Sequence, residues 1–298
     1  MPPETPPETP PGTPPGTTAA STPPAAGALA AVCDGLVRIY SSPSGEVYAL
    51  KGVDAVVPGG RLTAITGPSG SGKSSLLRIL AAQDRPTAGR AEVAGHLLTG
   101  MSARRLRALR RRHIGYVFPR PPQNLLPHLT AREHLATAGR LRGVGRAEVA
   151  RQTGELLDLL GIADRAGHLP GQLSGGEQQR LAFAQAVVGR PALVVADEPT
   201  SELDSVTTAD LLGAVHELTR TGTTVVMATH DPLAAAAADQ VVHLRSGAVA
   251  HEEVAGQRLA VIDGDGRVQL PEEALARFPA RRVLIEVTDD GVVLRGPS

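Results

Sequence analysis

The sequence predicts an α/β fold: a doubly wound, mostly parallel sheet, with a small α+β domain after it. Apolar runs at residues 62–65, 193–196 and 224–228 are typical of strands buried in a parallel sheet. Helix-length stretches separate these runs, and strands that alternate with helices indicate a sheet covered on both faces. The 298 residues are enough for one large domain and one small one.

Composition divides the chain into three segments. Residues 1–28 are rich in proline and begin with repeats of Pro-Pro-x-Thr, so we expect a disordered or polyproline-like tail, or else a ligand for a partner domain. Residues 29–253 form the predicted main domain, and residues 254–298 a small β-rich domain. Within the main domain, residues 32–57 contain short strand-like runs with turn residues between them, and residues 101–190 are mostly helical.

Charge and composition narrow the classes of function. The 30 basic and 30 acidic residues give a formal net charge of zero, so no overall field points to nucleic acid or to a membrane surface. A dense basic helix at residues 104–112 is interpreted as a solvated helix face, with phospholipid headgroups as the alternative contact. The single cysteine, Cys33, allows no disulfide within the chain. No apolar run approaches the ~18 residues that a membrane span needs. We therefore expect a cytoplasmic chain without a membrane span of its own and without a nucleic-acid partner.

A phosphate-binding loop is predicted at residues 67–74, which fit the pattern G-x-x-x-x-G-K-[ST]. The loop follows a predicted strand and precedes a predicted helix, which is the context that this pattern requires. Successive backbone N–H groups would surround the phosphates, the lysine would contact the β- and γ-phosphates, and the following serine hydroxyl would bind Mg²⁺. The sequence thus predicts an ATP–Mg²⁺ site at Gly67, Pro68, Ser69, Gly70, Ser71, Gly72, Lys73, Ser74 and Ser75.

A second anion site is predicted at residues 173–180, which read LSGGEQQR. Ser174 and Glu177 have the spacing of a capping box, so a helix should begin at Ser174. Gly175 and Gly176 have no Cβ and let a ligand approach the backbone, and free N–H groups at a helix N-terminus favour an anion. The full octapeptide resembles the signature motif of ABC-type ATPases.

Two further motifs carry the same resemblance. Residues 193–199, LVVADEP, resemble the Walker B motif. The resemblance implies that Asp197 holds Mg²⁺ and that Glu198 polarises the attacking water. His230, just after the strand at 224–228, matches the switch histidine of the family, which hydrogen-bonds the γ-phosphate. Glu198 and His230 are therefore the predicted catalytic residues.

Weaker matches complete the set of predicted nucleotide contacts. Residues 200–204 resemble the D-loop of the family, with Glu202 where alanine is common, and this places Asp204 against the nucleotide. Tyr40, upstream of the phosphate-binding loop, matches the aromatic residue that stacks on adenine. Tyr48 is close by in the sequence and is the alternative for that role.

One motif departs from the family pattern. Residues 114–118, IGYVF, are followed in the family by a glutamine that reaches Mg²⁺ and the attacking water, but here Pro119 follows. Proline has no side-chain donor or acceptor and fixes its own φ. Two hypotheses remain open: Gln123 stands in for the missing glutamine, or the coupling at this site is altered.

The resemblance covers residues 29–253 and implies a RecA-like core with an antiparallel β subdomain and a helical subdomain. The strings IGYVF, NLLPHLT and GEQQR look most like the lipoprotein-release and macrolide-export group, whose members power a separate membrane protein. This implies an ATP-hydrolysing subunit of an ABC transporter, on the inner face of the membrane beneath a polytopic permease. It also implies a head-to-tail homodimer with two shared sites, in which Ser174 and Gly176 bind the γ-phosphate held by Lys73 of the opposite protomer.

Two alternatives remain for that function. One is a mechanical or regulatory ABC ATPase that moves a membrane complex without transport, and the other is an ABC ATPase of DNA repair or translation. The transported substrate and its direction are not encoded in this chain, because specificity resides in the membrane subunit.

The C-terminal residues alternate between strands and turns. From residue 259 onward the order strand–turn–strand–helix–strand–turn–strand resembles the AbrB-type swapped-hairpin domain, including the Leu-Pro-Glu-Glu start of its helix. In that family the domain pairs two chains and in some members binds DNA. Arg281 and Arg282 are too few basic residues to argue for DNA, so the resemblance implies a dimer contact or a regulatory role.

Overall fold

The computed structural model describes residues 28–43, 45–262, 266–268, 270, 272–278, 282–288 and 291–295. Its largest sheet has seven strands in the spatial order β11 (Gln257–Leu259), β10 (Ala248–Val254), β9 (Gln240–Arg245), β3 (Leu62–Thr66), β8 (Val225–Ala228), β7 (Leu193–Asp197) and β6 (Ile114–Val117). The five strands from β9 to β6 are parallel, and β10 and β11 add an antiparallel edge. The predicted doubly wound sheet is confirmed.

Alternation of side chains along each strand explains why both faces of this sheet are covered. In β7, Val194 and Ala196 belong to one hydrophobic cluster, whereas Leu193 and Val195 belong to another. Successive side chains of a strand point to opposite faces, so a strand that is apolar throughout needs a packed layer on each side. Phe183 is fully buried in the first cluster.

A second sheet is antiparallel and has the order β2 (Gly45–Pro58), β1 (Leu29–Ser42), β4 (Ala88–Val93) and β5 (His96–Leu97). The short runs expected in this region are in fact two long strands, whose pairing extends to Ser42 opposite Gly45. Register shifts interrupt their pairing, for example between Cys33 and Leu36. Bulges bend and twist such a ribbon. Gly35, which has φ +53°, lies within this shift.

Helices cover both faces of the large sheet and form a mostly helical segment between β6 and β7, as predicted. They are α1 (Lys73–Leu80), α2 (Ala103–His113), α3 (Pro121–Asn124), α4 (Ala131–Arg142), α5 (Arg146–Leu159), α6 (Gly175–Val187), α7 (Ser205–Arg220) and α8 (Pro232–Ala236). The basic helix α2 buries Leu106 and Leu109 and leaves most of its arginines exposed, as a solvated face requires. In the described part of the chain, none of the helices combines the length and the apolarity that a bilayer crossing requires.

The C-terminal elements follow the predicted order where the structure describes them. Ile262 and Val268 form an antiparallel bridge, and α9 (Glu272–Leu275) precedes the hairpin of β12 (Leu284–Thr288) and β13 (Gly291–Arg295). The predicted domain boundary at 253/254 falls inside β10, and the large sheet continues to Leu259. The division into domains and the likeness to a swapped hairpin stay predictions. Among the residues named in the sequence predictions, the proline-rich segment 1–27, Ser44, 263–265, Pro271, Arg281 and 289–290 lie outside the described residues.

Candidate active site

The phosphate-binding loop connects β3 to α1 and packs tightly on neighbouring backbone. A Cβ on Gly67, which has φ +142°, would lie 2.1 Å from the carbonyl oxygen of Leu244. A Cβ on Gly72, which has φ +106°, would lie 2.6 Å from the carbonyl oxygen of Ala49. Because only glycine avoids both contacts and adopts these φ values freely, the two outer glycines of the motif fix the loop between β9 and β2.

The lysine of the loop folds over its own backbone. Lys73 Nζ donates hydrogen bonds to the carbonyl oxygens of Gly67 at 2.7 Å and Pro68 at 3.2 Å. Pro68, Ser69 and Gly70 are exposed, and Ser75 is half-buried on the first turn of α1. The Ser71 hydroxyl is buried and has no hydrogen-bond partner within the described part of the chain. A compact ammonium charge therefore lies directly over an exposed turn, the arrangement that a phosphate chain requires.

Ser74, on the first turn of α1, and Asp197, at the carboxyl end of β7, are neighbours in this site. The Ser74 hydroxyl is close enough to stabilise the Asp197 carboxylate and to lower its pKa. Burial raises the pKa of Asp197, and the adjacent Glu198 carboxylate raises it further, while Arg78, Ser74 and Lys73 act in the opposite direction. A hydroxyl beside a desolvated carboxylate is a hard oxygen donor pair, and its chemistry fits Mg²⁺.

The two predicted catalytic residues contact each other. His230 Nδ1 lies 2.8 Å from Glu198 Oε2, and since a carboxylate only accepts, the ring donates this hydrogen bond. The His230 backbone N–H also approaches Oε2, at 3.3 Å. Glu198 has φ +47°, and its N–H donates to the Ala228 carbonyl at 2.9 Å. A non-glycine residue in this region costs about 1–3 kcal/mol, and such strain clusters at functional sites.

The signature segment starts α6 with the predicted capping box. The Ser174 N–H donates to Glu177 Oε2 at 2.7 Å, and the Glu177 N–H donates to Ser174 Oγ at 3.2 Å. Glu177 also accepts from Arg165 Nε at 2.9 Å. These two donors, Ser174 first, hold the pKa of Glu177 below its usual range. Glu177 thus orients the helix start, while Ser174 and Gly175 remain exposed to a ligand.

The glycine at position 176 has a packing role that the sequence did not reveal. A Cβ at this position would lie 2.3 Å from Thr207 Cγ2 on α7, so any side chain there would have to displace the Thr207 side chain, whereas Gly175 faces open space. Asp204 caps α7 by accepting from the Thr207 N–H at 2.9 Å and from its hydroxyl at 3.0 Å. The Thr207 N–H bond in particular lowers the pKa of Asp204. The N-termini of α6 and α7 therefore lie side by side.

Tyr40 is held by local polar contacts. Its hydroxyl donates to Asp84 Oδ2 at 2.8 Å, and the Arg38 guanidinium lies 4.3 Å from the centre of its ring. Arg38 also pairs with Asp84 at 2.9 Å. Tyr48, the alternative, is exposed, with its hydroxyl 3.4 Å from Glu46. Stacking of Tyr40 on adenine stays a prediction.

The loop after β6 is closed by Asn124, a residue that sequence reasoning missed. Asn124 Oδ1 accepts from the Phe118 N–H at 2.8 Å, and its Nδ2 donates to the carbonyl oxygens of Phe118 at 3.0 Å and Arg120 at 3.2 Å. Amide side chains commonly bind nearby backbone in turns, which is the only sequence signal for this role. Gln123 lies exposed on the short α3, and Pro119 is half-buried. Both hypotheses about Gln123 stay predictions.

Comparison with known proteins identifies the family. A model of the family described as ABC transporter matches residues 50–201, a span that includes the phosphate-binding loop, the signature and the Asp197–Glu198 pair. The chain belongs to the ABC transporter family. His230 and Tyr40 lie outside the matched span of this ABC cassette.

Individual relatives agree with this placement. The chain is 42% identical over 249 residues to the macrolide export ATP-binding/permease protein MacB of Rhodopseudomonas palustris (strain HaA2). That match covers 83% of this chain and 38% of the relative, so the ABC cassette spans under two fifths of that protein's length. A dimeric structure of MJ0796, a bacterial ABC transporter cassette, is 33% identical, with a TM-score of 0.68 and coverage of 75% of this chain and 98% of that one. A second MJ0796 structure, a post-hydrolysis state bound to ADP and Pi, matches with the same TM-score, identity and coverage.

Asp197→Asn is expected to stabilise the ABC cassette in the absence of metal and nucleotide, while abolishing ATP turnover. The folded state disfavours the charged carboxylate, so stability is lost as pH rises from the ordinary aspartate range towards neutral. The amide is uncharged and removes this penalty. The midpoint temperature of thermal unfolding should be higher for Asp197→Asn than for wild type at pH 7. Below about pH 4 the two midpoints should be equal. Asp210→Asn, at an exposed position on α7, is the matched control. A lower midpoint at pH 7 would contradict the assignment.

Gln123→Ala is expected to cut ATP turnover strongly if Gln123 reaches the metal and the attacking water. Pro122→Ala, a neighbouring exposed change on α3, is the control and should leave turnover near the wild-type value. Phosphate release at saturating ATP measures both variants. Equal turnover in Gln123→Ala and wild type would eliminate the replacement hypothesis and leave altered coupling at Pro119.

Proposed function

We propose that this chain binds ATP with Mg²⁺ and hydrolyses it to ADP and phosphate as the energy-supplying subunit of an ABC transporter. The proposal rests above all on one observation: Lys73, the Ser74–Asp197 pair and the Glu198–His230 pair gather at the carboxyl ends of β3, β7 and β8. Open α/β sheets bind their ligands at this edge. The solved relative described as bound to ADP and Pi supports the same chemistry.

The proposed mechanism works by positioning and by charge stabilisation. Backbone N–H groups of the loop and the Lys73 ammonium hold the β- and γ-phosphates. Ser74 and Asp197 would hold Mg²⁺, which neutralises charge on those phosphates when it is bound. Glu198 accepts a hydrogen bond from the attacking water and aligns it with the γ-phosphate. The His230 Nδ1–H bond and the backbone bond to Ala228 keep the Glu198 carboxylate in place, which lowers the entropic part of the barrier.

We further propose that the active form is a head-to-tail homodimer. Ser174 and Gly175 present an exposed helix N-terminus that suits a phosphate. Across the dimer this N-terminus would meet the γ-phosphate held by Lys73 of the opposite protomer. Because this helix N-terminus is exposed on the single chain, it is available to complete the nucleotide site of a second copy. The similar MJ0796 cassette is described as dimeric.

A polytopic permease is the proposed membrane partner. The macrolide export relative is named as an ATP-binding/permease protein, whereas the match covers 38% of its length. We propose that the cassette acts on the cytoplasmic face of the membrane through such a permease, in the manner of the lipoprotein-release and macrolide-export group. Co-purification with a polytopic membrane protein is the expected result, and co-purification with nucleic acid instead would contradict this part of the proposal.

Glu198→Gln is expected to retain ATP binding and lose turnover. The amide keeps the size of the side chain but no longer polarises the attacking water, a contribution that is worth on the order of 10²–10⁴-fold in rate. Phosphate release measures turnover, and size-exclusion chromatography with ATP should show an accumulated dimer. Glu217→Gln, at an exposed position on α7, is the control. Wild-type turnover in Glu198→Gln would overturn the assignment of Glu198.

Ser174→Arg and Lys73→Ala should each abolish turnover alone, and their mixture should recover it. A mixed dimer has one site with both defects and one site with an intact loop and an intact signature. Ser102→Arg is the control for loss of a serine cap, because Ser102 caps the remote helix α2 in the same way. Phosphate release from the mixture is the measurement. A mixture as inactive as its components would argue against shared sites.

A further inference from the structure

Two histidines and a glutamate lie together on β9 and β10, outside the proposed nucleotide contacts. His243 on β9 is directly opposite His251 on β10 in the antiparallel register, and Glu253 is two residues beyond His251 on the same face. The two imidazole rings are stacked, with centroids 4.0 Å apart and an interplanar angle of 20°. This histidine–glutamate cluster takes no part in the ATP chemistry proposed above.

The donor atoms of the cluster converge on a small volume. Glu253 Oε1 lies 3.4 Å from His243 Nε2 and 3.7 Å from His251 Nε2. One ligand atom from each of the three residues lies within 4.8 Å of the other two. Metal–ligand bonds of 2.0–2.2 Å in a tetrahedral zinc site place neighbouring ligand atoms about 3.4 Å apart. Small ring movements therefore suffice to bring all three atoms to bonding distance of one ion.

One ring nitrogen of His243 has no hydrogen-bond partner among the described residues. This nitrogen, Nε2, is buried, and Glu253 Oε1 lies 3.4 Å from it. Its Nδ1 lies 2.7 Å from the Thr66 hydroxyl oxygen. When Nδ1–H donates to that oxygen, Nε2 carries a lone pair directed at the cluster. Metal-binding histidines are typically oriented by such a bond from the other ring nitrogen.

His251 is held differently, by a competing cation. Arg258 Nη2 lies 3.2 Å from His251 Nδ1, and a guanidinium has only donors, so Nδ1 accepts. The Nε2 proton then faces Glu253. A metal ion must displace this proton to Nδ1, and the exposed Arg258 side chain must turn away. Arg258 therefore opposes metal binding through both its charge and the tautomer that it imposes.

Burial disfavours the charged form of both rings. Burial, first among the causes, lowers the pKa of His243 and of His251, and Arg258 acts in the same direction on both. Glu253 opposes this effect at each ring, and its exposed carboxylate supplies the negative charge and a route for entry. Metal ions bind the neutral imidazole and the ionised carboxylate.

We propose that His243, His251 and Glu253 form a binding site for a divalent transition-metal ion of the zinc class, with a fourth position open to water. Two imidazoles and one carboxylate suit such an ion, whereas Mg²⁺ and Ca²⁺ prefer all-oxygen ligands. The site adjoins the phosphate-binding loop, because Thr66 precedes Gly67 and the carbonyl oxygen of Leu244, the residue after His243, is packed against Gly67.

Calorimetric titration of the full chain with Zn²⁺ alone tests the proposal, in excess Mg²⁺ and without nucleotide. Wild type should bind one Zn²⁺ per chain, and His243→Ala, His251→Ala and Glu253→Gln should each weaken that binding at least tenfold. Glu253→Gln changes an exposed side chain and keeps the fold testable if a histidine variant is unstable. Substitution with Co²⁺ should give the visible absorption of a four-coordinate imidazole site, which each variant loses.

Two further variants make the test specific. His96→Ala disrupts another histidine pair, His96 and His113, whose ring centroids are 5.3 Å apart, and should leave Zn²⁺ affinity unchanged. Arg258→Gln should strengthen Zn²⁺ binding, because it removes the competing donor and its charge. Wild-type affinity in all three cluster variants, an equal loss in His96→Ala, or weaker binding in Arg258→Gln would overturn the proposal.

Discussion

The fold depends on burial of both faces of the five parallel strands. Their side chains divide into two hydrophobic clusters, and the helices that supply these clusters also fill the connections between strands. Parallel strands that require crossover helices end at one common edge. The loops after β3, β6, β7 and β8 consequently leave the sheet together. That shared edge, rather than any local preference, brings residues as distant in sequence as Lys73 and His230 to one site.

The carboxylates at this edge of the sheet lie in an unfavourable electrostatic environment. Asp197 and Glu198 are adjacent acids at the end of a buried strand, and burial and mutual repulsion raise the pKa of Asp197. Burial raises the pKa of the neighbouring Tyr116 to about 12, with the Asp197 charge as a second cause. Arg78 on α1 opposes both effects and is, with Asn124, a contributor that sequence reasoning missed. Arg78, Lys73 and Ser74 only partly offset these effects, and a site with partly compensated negative charge suits a cation.

Sequence reasoning succeeded where a motif determines its own backbone. The phosphate-binding loop and the capping box of Ser174 and Glu177 are local, and their helices start where predicted within one residue. It failed where contacts with residues distant in the sequence determine the local structure. A Cβ on Gly176 would meet the Thr207 side chain on α7, and the region expected to hold several short strands forms two long strands whose pairing is interrupted by register shifts. The contacts of Asn124 and Arg78 depend on packing that spacing does not encode.

The proposed metal site lies on the side of the large sheet that is opposite β6. The antiparallel strands β10 and β11 join it at β9, the strand whose Leu244 carbonyl limits Gly67. His243 is the residue before Leu244, and its ring meets the Thr66 hydroxyl one residue before the loop. The His243 ring is therefore connected to the backbone of the phosphate-binding loop in two ways. One is its hydrogen bond with Thr66, and the other is the packing of the adjacent Leu244 carbonyl against Gly67. Since close-packed interiors transmit small displacements, an ion held by His243, His251 and Glu253 would act on the part of the loop that glycine alone can occupy.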